Sequence, residues 1–207
     1  MATMTSKRVL ALLAAAAALA FVLRDASAQN KAIEEFTAVA FNTNTRPTQP
    51  QPNRPSTAQL NIRIERWSTD AERDKLLAIL KQQHSNIANA NQELLRALQQ
   101  MPSVGSIREA TTLAWDLRFA RQAPLDEGGR RIVLATDRPM PFWEIVNQPR
   151  SADYPFSVVE MHVDKDNKGE GKLLAGTRLF IDPRTSDLVL EHYDLQPVRL
   201  TQVSPRH

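Results

Sequence analysis

Glu160, His162 and Asp164 stand two residues apart in a run that alternates like a strand, so their side chains share one face. Two carboxylates and an imidazole in that row offer the ligand types of a zinc or manganese site. The other face of the same run carries Val159, Met161 and Val163. The core belongs on that apolar side, which sends the acid–His row to solvent, and no metal is assigned. Asp164, Asp166 and Gly169 match the first half of a calcium loop, but Lys168 takes a ligand position and Ala175 stands where the bidentate glutamate belongs. The segment reads as a hairpin turn.

Nucleophilic chemistry finds little support. There is no Gly-x-Ser-x-Gly elbow and no phosphate-cradling loop among the six glycines. The absence of cysteine excludes disulfides, thiolate metal sites, iron–sulfur clusters, thiol catalysis and a lipidated cysteine anchor. His84 falls on a polar stretch, whereas His192 shares its face with Leu188 and Leu190 and points inward. Two readings stay open for His192: a buried, hydrogen-bonded core residue, or a pocket group that orients a ligand or acts as acid or base.

Trp115 and Phe119 follow the apolar face of one strand, and Arg66 continues the Leu60, Ile62, Ile64 face of another. With His192 they would line an apolar cavity with a few convergent polar groups, the composition of a small-ligand site. The competing reading is a filled core with Arg66 at its rim. Phe142 and Trp143 follow Asp137-Arg138-Pro139 on a proline-bounded loop that suits a lid, a contact patch for a partner, or a plug for the core.

The elements that must position these residues are mostly strands. Alternation and turn residues predict strands near 34–42, 60–65, 113–120, 130–137, 156–164, 172–182, 188–193 and 198–203. Residues 46–57 form a proline-rich loop. Residues 69–102 form a two-helix insert that opens on a Thr69–Glu72 capping box and stops at Pro102. The expected class is α+β and mainly β: about eight antiparallel strands in a lipocalin-like barrel, with a strongly curved open sheet as the alternative.

The first 28 residues read as an address. Lys7 and Arg8 precede an apolar run of 15 residues, and Ala26-Ser27-Ala28 supplies a small-x-small cleavage site, the three parts of a secretory signal peptide. A membrane span wants roughly 20 strongly apolar residues. The remainder, 29–207, is expected to be one domain, periplasmic or secreted. Losing Lys7, Arg8, Arg24 and Asp25 lowers the net charge from +3 to +1, which removes any electrostatic case for nucleic acid.

The strings ERWSTDAERDKLL, RRIVLATDRPMPFWE and LEHYDLQPVRLTQV resemble those of an uncharacterised family of exported bacterial proteins. The resemblance spans Leu60 to Val203 and implies export and these domain limits. It brings no activity and no catalytic residue. Three functions follow in order: an exported binder of a small apolar or amphipathic molecule, an interaction module with a filled core and docking loops, and an enzyme using His192. None calls for a cofactor.

Overall fold

The computed structural model describes residues 33–41, 57–82, 87–110, 113–125, 128–140, 156–175, 177–181, 188–192 and 198–206. The leader, the proline-rich loop at 46–56, His84, and the Phe142–Trp143 loop lie outside them.

Eight strands close into an antiparallel barrel: β1 (Glu34–Phe41), β2 (Thr57–Ile64), β3 (Gly105–Glu109), β4 (Trp115–Pro124), β5 (Arg130–Thr136), β6 (Ser157–Val163), β7 (Gly169–Ala175) and β10 (Val198–Pro205). β2 through β7 pair in chain order, and β10 inserts between β7 and β1 to complete the circle. Helices α1 (Asp70–Gln82) and α2 (Ile87–Gln100) link β2 to β3. Among the described residues, two further strands, β8 (Thr177–Ile181) and β9 (Leu188–His192), pair with each other in a separate two-stranded sheet.

The barrel and the strand total of eight agree with the sequence expectation, but the membership differs. Residues 172–182 are not one strand: β7 has β6 on one side and β10 on the other, so no wall position remains for β8. The strand at 188–192 accordingly leaves the barrel as the second arm of a hairpin, and β3 takes the vacant place. β3 is five residues long with one fully buried side chain, Ile107, too short to show an alternation. Its entry requires Gly105, whose φ is +152° and where a Cβ would overlap the Arg63 carbonyl oxygen on β2.

Period-two alternation fills the interior. Leu60, Ile62 and Ile64 of β2, Ile132 and Leu134 of β5, and Met161 of β6 are at most 1% exposed and belong to one continuous cluster. A Cβ on Gly171 would come within 3.1 Å of the Met161 Cγ, so large and small residues interdigitate across β6 and β7. Each buried branched side chain contributes about 1.5–3 kcal/mol.

Both ends of this core are covered. At one end Arg130 donates bidentately to Glu34 at 2.8 and 2.6 Å, reaches Asn167 in the β6–β7 turn at 2.6 Å, and holds Gln122. At the other, Ser157 N donates to Thr136 Oγ1 at 3.0 Å, and Ser157 Oγ accepts from Met140 N at 2.9 Å. That pair seats the Met140 side chain, 1% exposed, in the barrel cluster.

A second core lies outside the wall. Leu80, Leu94, Leu98 and Met101 of the helical region pack with Ala135, Phe156, Val158 and Leu174. The helix pair therefore covers the outer face of β4–β7. Among the described residues no helix is long and apolar enough to cross a membrane.

Candidate functional site

The helices reach the wall through a short crossing at the end of β2. Thr69 and Glu72 form the expected reciprocal cap, with Thr69 N donating to Glu72 Oε2 at 2.8 Å and Glu72 N to Thr69 Oγ1 at 3.2 Å. Arg66 donates to both Glu72 oxygens at 3.0 and 2.8 Å. This guanidinium chiefly, against the opposing effect of desolvation and with help from the Thr69 bonds, holds the Glu72 carboxyl down at about 2. Arg66 is thus a strut between strand end and helix start.

Ser68 then fastens the crossing to β4. It is 3% exposed. Its N–H donates to the Ala120 carbonyl at 2.8 Å, its Oγ accepts from Ala120 N at 3.1 Å, and its carbonyl accepts from Arg121 Nη1 at 3.0 Å. β3 pairs with β4 only through residues 115–117, so Ser68 supplies bonds that a longer β3 would have made.

At this point β4 changes phase. Its pairing with β5 shifts between Leu117 and Phe119, and the residues packed into the barrel are Leu117 and Ala120, three apart. The extra residue of a bulge turns the following side chains to the other face. Trp115 and Phe119 were expected to share one apolar face. Trp115 packs against the barrel cluster and Phe119 against the helices.

Between the helices and the outer wall is a half-open cavity of about 300 Å³. Leu76, Leu77 and Leu80 of α1 with Leu94 and Leu98 of α2 form one side. Phe119, Val133, Ala135, Val158 and Phe156 form the other. These apolar side chains make nearly the whole lining, and polar groups enter at Arg73, Arg121, Gln122 and Arg131. Arg121 and Arg131 are diagonal neighbours on adjacent strands, because Arg121 pairs with Val133 and Ala123 with Arg131.

Of the described side chains singled out by sequence, Phe119 lines this cavity and Arg66 and Trp115 do not. Arg66 is engaged by Glu72, and Trp115 lies across the wall. His192 ends β9, opposite Thr177 in the two-stranded sheet and not in the barrel. Phe142 and Trp143 fall outside the described residues. The helix leucines carry no ligand signal in the sequence, because an apolar stripe serves packing equally well; an arginine next to an apolar strand position, as at Arg131–Ile132, is the available signal for a charged rim.

The acid–His row behaves partly as expected. His162 is exposed, and its Nε2 lies 2.9 Å from Glu160 Oε1, but Glu160 is only 8% exposed although it faces out of the barrel. Asp164 Oδ1 accepts from Asp166 N at 2.8 Å and Lys168 N at 2.9 Å, closing the hairpin turn between β6 and β7. Among the described residues no three acid or histidine side chains are grouped to hold a metal.

No family model, curated protein or solved structure matches this chain.

Proposed function

We propose that this chain is an exported binding protein that holds a small apolar or amphipathic molecule, and that the molecule sits outside the barrel, under the helix pair. The observation that carries the reading is the half-open cavity of about 300 Å³ between α1, α2 and the outer face of β4–β6. Its size lies at the lower limit of small-molecule pockets, and its lining is apolar with a few polar groups at the margin, as such pockets are. The barrel supports this site from behind: its interior is packed and covered at both ends, so the wall under the ligand is rigid. Export follows from the leader-like segment at 1–28.

The test is displacement of the neutral fluorophore 1-aminoanthracene from the purified mature chain by straight-chain alcohols of six to twelve carbons. Saturable binding that is lost in Ala135→Leu, which fills the cavity, supports the reading. Absence of fluorophore and alcohol binding to a folded protein overturns it. Mass measurement of the exported chain checks the leader: loss of residues 1–28 supports export by cleavage, and a full-length secreted or cytoplasmic product contradicts it.

The packed barrel favours a second reading, in which the barrel is a scaffold for protein partners docking on its loops. A pull-down that depends on Trp143 and is indifferent to Ala135→Leu distinguishes it. An enzyme using His192 draws support from no geometry in the barrel wall.

A further inference from the structure

The rim of the cavity is more specific than its floor. Three guanidinium groups lie among its lining residues, Arg73, Arg121 and Arg131. Two are engaged. Arg73 Nη1 and Arg121 Nη2 share Asp70 Oδ1 at 3.1 and 3.0 Å, and Arg73 Nη2 also holds Asp74 at 2.8 Å. Arg121 is further fixed by the Ser68 carbonyl. The third differs. Arg131 is exposed, and among the described residues no carboxylate lies within ion-pair distance of it. Its cross-strand neighbours are Ala123 and His162, and the nearest acid in the register, Glu160, is turned to His162 at 2.9 Å. Among the described residues, three guanidinium groups and two carboxylates therefore stand at the mouth of the apolar cavity, and Arg131 projects from the wall strand with no ion-pair partner among them.

We infer that the cavity selects single-chain amphiphiles with an anionic head, the tail lying between the helix leucines and Phe119 and the head pairing with Arg131. The inference rests on the binding reading above and adds the ligand's charge and size. The cavity of about 300 Å³ lies at the lower limit of small-molecule pockets, which suits one medium-length acyl chain. A guanidinium presents a planar fork that matches a carboxylate or phosphate head. The other two arginines are taken up by Asp70 and Asp74, which leaves the head to Arg131.

The experiment compares octanoate, octanol and octylamine by isothermal titration calorimetry on the mature chain and on Arg131→Gln. Octanoate should bind tightest and octylamine weakest. Arg131→Gln should weaken octanoate by about fivefold, the upper range for an exposed ion pair, and leave octanol unchanged. Raising salt from 50 to 500 mM should erode the octanoate preference in the wild type, because exposed pairs are screened. Equal affinity for all three ligands, with no effect of Arg131→Gln, overturns the head-group inference while the apolar site stands. Failure of all three to bind a folded protein overturns the inference and the binding reading together. Unchanged melting of Arg131→Gln, an exposed substitution, shows that any loss is not unfolding.

Discussion

Leu117 and Phe119 are two residues apart on β4 and lie on opposite faces of the barrel wall, Leu117 in the interior and Phe119 beneath the helices. A regular strand would place them side by side. The register shift between them converts one apolar run into two functional surfaces, a structural one and a candidate binding one.

Substitution should separate these roles. Leu117→Ala leaves a void in a fully packed interior and should cost about 2–5 kcal/mol in urea unfolding, with little change in ligand affinity for the molecules that still fold. Phe119→Ala removes a half-buried ring that borders existing space, and should cost less, about 1–3 kcal/mol, while altering affinity for alcohols and octanoate. Equal effects of both on binding would show that the two faces are not independent.

Filling the cavity should have the reverse profile. Ala135 lines it and is 8% exposed. Ala135→Leu has room for its added atoms, so stability should move by less than about 1.5 kcal/mol while fluorophore binding falls tenfold or more. Direct binding measurement beside a melting curve checks both halves.

The Arg66–Glu72 pair makes a pH-dependent contribution. The Glu72 carboxyl is held down at about 2 from an ordinary 4.5, chiefly by the Arg66 hydrogen bonds. A lowered folded-state value stabilises the fold above the ordinary value and loses that stabilisation as pH falls through the folded one. Glu72→Gln should therefore cost about 1 kcal/mol at pH 7 after allowance for screening at the surface. The gap to wild type should shrink between pH 4.5 and 2 and close near pH 2. Urea unfolding across that range reads it, and a constant gap would show that the charge contributes nothing.

Ser68→Ala should act at a distance along the chain. It deletes the acceptor of Ala120 N in a buried setting, which costs about 1–3 kcal/mol. Amide exchange at Ala120 should speed up, and ligand binding should weaken because the same contact aligns α1 with the wall. Protection unchanged at Ala120 would mean that the bulge is held by its strand neighbours alone.

The reach of sequence reasoning follows the range of the interactions involved. The Thr69–Glu72 cap closes within three residues, and the alternations of β2, β5 and β6 repeat every two. Such local regularities are written directly in the order of residue types. His192 shows the opposite case: its Leu-rich strand looks equally well suited to a barrel wall or a hairpin, and the choice depends on β7 being flanked by β6 and β10.

By itself, the order of residues determined the antiparallel strands, the capped helical insert, the Asp164 turn and the chemistries that a cysteine-free chain lacks. The tertiary structure decided which apolar residues face which core. Phe119 joins the helices because Ser68, 52 positions earlier, takes the Ala120 N–H and fixes a bulge. A hydrogen bond between segments so far apart leaves no periodic trace in either. A one-residue shift, however, is enough to move a side chain from the inside of a barrel to a cavity on its outside.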